Sequence, residues 1–183
     1  DSFAFVSASL DKWIKSSLAS GCDFACFKST FDEYKQKILL RKNPFPYNAI
    51  LHADDLKRGI DELFGWATCD NAEELFCFKY SKEELCEFAK WLEEHASACE
   101  WHTVYDYYVD YLKCDVSQLK DVMDFFARNV MEEFDINIHD YYGTPSLSWA
   151  AWLRRNPIPL EPITSSKDYD VINSTIRGGQ TGV

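Results

Sequence analysis

The chain has 183 residues, of which 46% are hydrophobic and 16% aromatic, so it can bury one core and is not expected to be disordered. Its formal net charge of −11 argues against passive coating of nucleic acid, which relies on lysine and arginine, but suits a carboxylate-rich metal site. No segment is long and apolar enough to span a bilayer, so no membrane partner is expected.

The first part of the chain predicts a strand and then helices. Aromatic residues alternate in Ser2–Ser7, which is typical of a strand. Ser9 is placed to cap a short helix, which Gly21 ends. Residues 27–40 fit either a helix or an extended conformation.

The middle of the chain predicts a loop and two helices. Two prolines in Lys42–Tyr47 forbid regular pairing, so this segment is a loop. A short helix is expected over Asp55–Phe64. Ser81–Glu84 reads as a capping box, and the helix that it opens is predicted to reach about Ala98.

The last part begins with the longest helical run, Thr103–Phe134. A turn is expected over Asp140–Ser146, and a short helix over Ser148–Arg155, closed by Asn156 and Pro157. Lys167–Thr175 is another predicted helix. The chain is therefore predicted to be mostly helical with a few strands.

Asp115 is a charge on the apolar side of the longest helix. At roughly 100° per residue, five apolar or aromatic residues project within about 40° of it: Val104, Tyr108, Leu119, Val122 and Phe126. The other charges between Val104 and Phe126 project about 120–180° away, on the face predicted to be solvated: Asp106, Asp110, Lys113, Lys120, Asp121 and Asp124. A carboxylate buried in this way needs a partner. A structural Lys or Arg is the ordinary choice, and a metal-ligand or general-base role is the alternative.

Tyr111 lies one turn before Asp115, at spacing i, i+4, so the phenol and the carboxylate are predicted to be neighbours. Such a pair suits metal-assisted hydrolysis, in which the carboxylate binds a divalent cation and the phenol orients the attacking water. By itself, Tyr-x-x-x-Asp is a weak signal that chance supplies often.

Other candidate sites have ordinary explanations. His95, Cys99 and His102 have a helical spacing compatible with zinc, but they lack a fourth ligand and a recognised spacing. Four basic pairs could contact phosphates, although a solvated surface is the simpler interpretation: Lys35/Lys37, Arg41/Lys42, Lys57/Arg58 and Arg154/Arg155. The seven cysteines, an odd number without a Cys-x-x-Cys pair, favour a reducing, intracellular compartment.

The segment from Tyr111 to Val116 resembles the third exonuclease motif of family B DNA polymerases. More specifically, the chain resembles the protein-primed branch found in viruses, linear plasmids and transposons. Four further segments carry that resemblance in the right order: Asp1–Phe3 through Ser9–Lys12, Lys42–Tyr47, Tyr142–Trp149 and Ile176–Gly179. They resemble the strand and helix after the second exonuclease motif, the Phe-Pro-Tyr loop, the segment ending in Leu-Ser-Trp, and the Tyr-x-Gly-Gly linker.

The resemblance implies an α/β class, with the chain forming part of a ribonuclease-H-like 3′–5′ exonuclease domain (residues 1–165) and a linker into a polymerase domain (166–183). Two Mg²⁺ or Mn²⁺ ions held by four carboxylates would stabilise the attacking and leaving oxygens. Asp115 would be one of these ligands, and Tyr111 would orient the water. Arg177, Gly178 and Gly179 would guide single-stranded DNA between the two sites.

The implied partners are single-stranded DNA and a primer terminus, with deoxynucleotides and a terminal priming protein in the complete enzyme. We expect the chain to be an excerpt from that enzyme.

The chain departs from the family pattern in three respects. The linker has Ile176 in place of tyrosine, and no Asp-x-Glu stands for the first exonuclease motif. Asp168-Tyr169-Asp170 lies before the linker and is interpreted as a helix start, not as the polymerase Asp-Thr-Asp. Because one ligand of four cannot hold the metals, the segment alone is predicted to have neither nuclease nor polymerase activity.

Two rival hypotheses stay open. One is a stand-alone nuclease of similar fold. The other is a non-catalytic helical interaction module in which Asp115 is salt-bridged. An open cleft beside Asp115 and Tyr111 would favour a nuclease, and a sealed contact with Lys or Arg would favour the module.

Overall fold

The computed structural model describes residues 4–157, 159 and 163–175. Within these residues the chain is mostly helical, as predicted, and its regular backbone pairing outside helices is an isolated antiparallel bridge between Gly59 and Thr103. The α-helices are α1 (Leu10–Ala19), α2 (Ala25–Thr30), α3 (Glu33–Leu39), α4 (Ile60–Thr68), α5 (Ala72–Leu75), α6 (Lys82–His95), α7 (Val104–Phe134), α8 (Thr144–Arg155) and α9 (Ser166–Thr175). Short 3₁₀ helices lie at Tyr47–Ala49, Ala53–Lys57 and Ile138–Asp140.

Ala4 and Phe5 lie in a 3₁₀ turn and residues 6 and 7 are irregular, so the predicted strand is wrong for the part of Ser2–Ser7 that the structure describes. The hydroxyl of Thr144 donates hydrogen bonds to the carbonyl oxygens of Ala4 (3.0 Å) and Phe5 (2.6 Å). Gly143 makes this approach feasible, because a Cβ there would lie 2.8 Å from the Ala4 oxygen. The backbone is thus held by a side chain at the start of α8 and not by a neighbouring strand.

Several predicted boundaries shift for local reasons. Residues 27–40 divide between α2 and α3, because the Asp32 carboxylate accepts from the backbone of Tyr34 and Lys35 and starts a new helix. The helix predicted over Asp55–Phe64 breaks at Gly59, where the backbone pairs with Thr103 instead.

Two more helices differ in length from the prediction. Helix α6 ends at His95, short of Ala98. Helix α8 begins at Thr144, four residues before the predicted Ser148, and carries its proline in the first turn, where no backbone N–H is needed.

Other sequence signals are confirmed. Ser9 caps α1, and its hydroxyl accepts from the Lys12 backbone. Ser81 and Glu84 form the reciprocal capping box of α6. Asp168 lies in the first turn of α9, as the helix-start interpretation of Asp168-Tyr169-Asp170 requires.

The long helix α7 runs through both parts of the core. Its N-terminal two thirds pack against α1–α6 around fully buried residues such as Phe27, Leu63 and Leu92. Its C-terminal third joins a smaller cluster of Val130, Ile136, Ile138 and Leu147. Side chains of α7 can therefore meet residues from widely separated parts of the sequence.

Among the described residues, no helix has the length and apolar character that crossing a membrane requires. All seven cysteines are free thiols.

Candidate functional site

A reciprocal capping box fixes the start of α7. The Asp106 carboxylate accepts from the Thr103 backbone at 2.8 Å, and the Thr103 hydroxyl accepts from the Asp106 backbone at 3.3 Å. The Gly59–Thr103 bridge ties this end of the helix to the start of α4. Tyr111 and Asp115, two and three turns further along, thus lie on a helix that is anchored at its N-terminus.

The buried face of α7 is rotated from the predicted one, although Val104 and Val122 are fully buried as predicted. Its most deeply buried side chains in the region of the site are Tyr107, Tyr111, Cys114 and Gln118, each no more than 2% exposed. At roughly 100° per residue, their common direction is about 70° from Asp115, which is only partly buried. The helix has a second apolar face, the outer face, which stays exposed at Tyr105, Leu112 and Val116. Because Asp115 lies between these two apolar faces, the helical projection of the sequence placed it at the centre of a single apolar side.

Consequently, two charges predicted to be solvated are buried. Asp110 is 6% exposed and accepts from the Lys35 ammonium at 2.6 Å and from the Trp101 indole at 2.9 Å. Asp121 is 8% exposed, and its carboxylate accepts from the backbone N–H groups of Cys26 and Phe27 at 2.9 and 2.8 Å. It caps α2 from another helix. Charge-assisted bonds of this kind offset the desolvation of both carboxylates.

A loop over residues 40–47, here called the proline loop, packs along α7 beside the candidate pair. The Tyr107 hydroxyl donates to the Pro44 carbonyl at 2.7 Å. The ring of Phe45 stacks on Tyr111, with centroids 5.1 Å apart and planes 24° apart. The predicted loop is confirmed for residues 42–46, and Tyr47 begins a 3₁₀ helix.

Tyr111 lies beneath this loop with its hydroxyl at the site. Its oxygen is 2.5 Å from the hydroxyl oxygen of Tyr47. Burial, the Tyr47 hydrogen bond and the charge of Asp115 together raise the pKa of Tyr111 far above its ordinary value. A protonated phenol can accept from Tyr47 while donating towards Asp115. Tyr111 and Asp115 lie four residues apart within one continuous helix, so their predicted proximity is confirmed.

Asp115 lies at an open surface, paired with a lysine. The Lys42 ammonium is 3.5 Å from its carboxylate, and the two side chains are 29% and 26% exposed. Lys42 also lines a surface pocket of about 520 Å³, whose other lining residues are Ser9, Asp11, Lys15, Lys79, Tyr80 and Glu84. Burial and then the charge of Asp115 raise the pKa of Tyr80 to about 12, which places that phenol in the field of the same carboxylate. Asp115 therefore forms an ion pair with Lys42, but this ion pair is accessible to solvent.

Lys42 and Tyr47 were not singled out from the sequence as site residues. In the sequence, Lys42 is part of a basic pair that is most simply interpreted as solvated surface, and Tyr47 is part of the Phe-Pro-Tyr loop. Each lies more than sixty residues from its partner on α7, so neither spacing nor periodicity could connect them. Lys35 is likewise bound to a buried carboxylate and is not a free surface charge.

Two predicted groups do not form a site here. Helix α6 ends at His95, so Cys99 and His102 do not continue its face, and the Nδ1 atom of His95 is hydrogen-bonded to the Tyr34 hydroxyl at 2.8 Å. Among residues 4–157, 159 and 163–175 no group of three His, Cys, Asp or Glu side chains could hold a metal ion. Arg177, Gly178 and Gly179 lie outside the described residues.

The buried phenols predict a measurable alkaline transition. The pKa values of Tyr47, Tyr80, Tyr107 and Tyr111 are all raised, chiefly by burial. From about pH 9 to about pH 11 the folded chain should therefore release fewer phenolic protons than the chain unfolded in guanidinium, as read from phenolate absorbance. Because the unfolded chain loses protons that the folded chain keeps, the free energy of unfolding should fall as pH rises through this window. Equal absorbance changes in the two states would contradict the raised pKa values of these phenols, above all those of the buried Tyr107 and Tyr111.

A phenol and a carboxylate beside a lysine-lined pocket form an arrangement suited to the chemistry of phosphate esters. Comparison with known families identifies the protein class directly: residues 1–183 match the family described as DNA polymerase type B, organellar and viral. The match spans the whole chain, which therefore belongs to this family of DNA polymerases. No curated protein and no solved structure gives a significant match.

Proposed function

We propose that the chain is part of the 3′–5′ exonuclease domain of its polymerase, with a ribonuclease-H-like fold in the complete domain, and that Tyr111 and Asp115 belong to the editing site. The observation that carries this proposal is the position of Asp115. Its carboxylate is partly exposed beside the Tyr111 hydroxyl and next to a pocket lined by lysines. This partial exposure leaves the Asp115 carboxylate accessible to a ligand from solvent, which the enclosed carboxylate of Asp110 is not.

Each side chain has a distinct task in this proposal. The Tyr111 phenol stays protonated at neutral pH and holds a proton that it can donate to an oxygen at the site. Tyr47 fixes the orientation of that hydroxyl through their hydrogen bond. The Lys42 ammonium balances the charge of Asp115 and can pair with a phosphate of a DNA 3′ end that enters the pocket.

The described residues supply only part of the ligand set that a divalent cation needs. DNA polymerases use divalent metal ions, and Asp115 offers an oxygen ligand of the kind that Mg²⁺ or Mn²⁺ prefers. The described residues hold no cluster of three ligands, so Asp115 can be one ligand and cannot form the site by itself. When bound, the cation would polarise the phosphodiester. The further carboxylates would come from parts of the polymerase outside this chain.

The site suits a single strand of DNA better than a duplex. The pocket beside Asp115 is too small for a helix of DNA, and the chain as a whole carries a net charge of −11. The charged lining of the pocket consists of three lysines and two carboxylates: Lys15, Lys42, Lys79, Asp11 and Glu84. Repulsion from the remaining surface would disfavour broad duplex contacts. Guidance of the strand by Arg177, Gly178 and Gly179, and initiation on a terminal protein, are further parts of this proposal.

The test is excision of a mismatched 3′ end by the complete polymerase carrying Tyr111→Phe. Loss of the hydroxyl should slow excision about 10- to 100-fold and leave extension of a matched primer unchanged. Tyr105→Phe is the matched control, since Tyr105 is 53% exposed on the same helix. Excision that is insensitive to Tyr111→Phe, or absent in the unaltered enzyme, would refute the proposal.

The isolated segment provides a second test. Because it supplies one carboxylate where the family implies four, purified residues 1–183 should not degrade single-stranded DNA in the presence of magnesium. Magnesium-dependent degradation that is lost in Asp115→Asn would show that the segment holds a complete site.

A non-catalytic helical module is the second candidate, and the Lys42–Asp115 ion pair is the observation in its favour. In that case Asp115→Asn would change the free energy of unfolding but not excision by the complete enzyme.

A further inference from the structure

Gln118 is a buried amide without an evident role in the proposed chemistry. Its side chain is fully buried, one turn beyond Asp115 on α7. The Nε2 atom donates to the carbonyl oxygens of Leu39 at 2.9 Å and Arg41 at 3.4 Å. Within the described part of the chain its Oε1 atom finds no partner, an arrangement that a protein core tolerates only rarely.

A second amide converges on the same two carbonyls. Asn43 is 2% exposed, and its Nδ2 atom donates to Leu39 at 3.4 Å and to Arg41 at 3.2 Å. The Arg41 guanidinium donates to the Oδ1 atom of Asn43 at 3.1 Å. The backbone just before Lys42 is therefore held by two buried amides, one of which, Asn43, directly follows Lys42 in the chain.

Helix α7 carries both Asp115, which Lys42 contacts, and Gln118, which holds the backbone next to Lys42. Asp115 and this anchor, Gln118, are three residues apart on the same helix. Any movement of the anchor relative to Asp115 would require α7 itself to deform. The amide thus fixes where the Lys42 ammonium can reach.

We propose that Gln118 is a positioning residue that sets the reach of Lys42 to Asp115 and to a phosphate in the neighbouring pocket. The inference rests on the proposed editing function for its catalytic consequence. The positional part stands independently, because it concerns only contacts within this chain.

The catalytic test compares Gln118→Met, Lys42→Ala and the double variant in the complete polymerase. Methionine keeps the length of the side chain and removes the donor. Gln118→Met should lower kcat for mismatch excision about tenfold with KM unchanged, and should have no further effect when Lys42 is already alanine.

Gln36→Met is the matched control. Gln36 makes the same kind of contact, donating from Nε2 to the carbonyls of Lys28 and Phe31 at 2.7 Å, but at a partly exposed position away from Lys42. Its variant should leave excision unchanged. Should Gln118→Met slow excision equally in the Lys42→Ala background, or leave it untouched where Lys42→Ala reduces it, the inference is overturned.

A second measurement does not depend on activity. In residues 1–183, acylation of the Lys42 amine, followed by mass spectrometry against Lys57 as internal reference, should rise about threefold in Gln118→Met as the ion pair loosens. Asn43→Ala should produce the same change if the methionine variant does not fold. An unchanged rate in folded variants overturns the inference. If Lys42→Ala leaves excision intact while acylation rises as expected, the proposed function fails and the positioning role stands.

Discussion

Replacing Asp115 with asparagine in the complete polymerase is expected to reduce excision of mismatched 3′ ends by about 10²- to 10³-fold. Asparagine keeps the size of the side chain and removes the negative charge that a cation requires. The loss should appear in kcat, and extension of a matched primer should continue. The measurement is single-turnover excision on a primer with a terminal mismatch.

A loss of excision in Asp115→Asn could not be attributed to unfolding of the chain. The Lys42–Asp115 pair is partly exposed on both sides, and pairs of this kind contribute about 0–1 kcal/mol to stability. Asp124→Asn is the control, since this carboxylate lies on the same helix, 55% exposed and paired with Lys120. Excision at the normal rate in Asp115→Asn would remove the chemical basis of the editing site.

Replacing Asp110 with alanine is expected to lower the free energy of unfolding by about 3 kcal/mol. The change leaves the Lys35 ammonium, 21% exposed, without its partner and the Trp101 N–H without an acceptor. Removing one member of a buried, hydrogen-bonded pair costs more than losing an exposed ion pair. Equilibrium denaturation by guanidinium measures the difference, and Asp124→Ala should change it by less than about 0.5 kcal/mol. Similar values for the two variants would contradict the burial of Asp110.

The same pair predicts a pH dependence. Burial lowers the pKa of Lys35, but the hydrogen bond and charge of Asp110 more than offset this, so the net shift is upward. The stabilisation is therefore fully present below the pKa of an unfolded lysine, about 10.4, and is lost as pH rises through the higher folded value. In Asp110→Ala this alkaline loss of stability should diminish.

Local signals in the sequence were enough for most of the secondary structure. Ser9, Ser81 and Thr103 cap helices because a hydroxyl three residues before a backbone N–H can accept from it whatever lies further away. The pairing of Tyr111 with Asp115 has the same origin, since residues four apart on a helix must be neighbours.

The orientation of α7 could not be obtained in this way. A helical projection gives the angles between side chains but not which apolar face meets the core. In α7 the choice was made by the proline loop and by α1–α6, which cover Tyr107 and Gln118 and leave Leu112 and Val116 exposed. Asp110 and Asp121 became buried as a result, because their partners Lys35 and the start of α2 lie in those elements.

By itself, the sequence determined the long helix, the neighbouring phenol and carboxylate, and the resemblance to type B DNA polymerases that the family match confirms. Only the tertiary structure decided that Lys42, Tyr47 and Gln118 join that pair. The physical reason is range: capping and helical spacing act over three or four residues, whereas these contacts span 64 to 79 positions and exist only after the chain has packed.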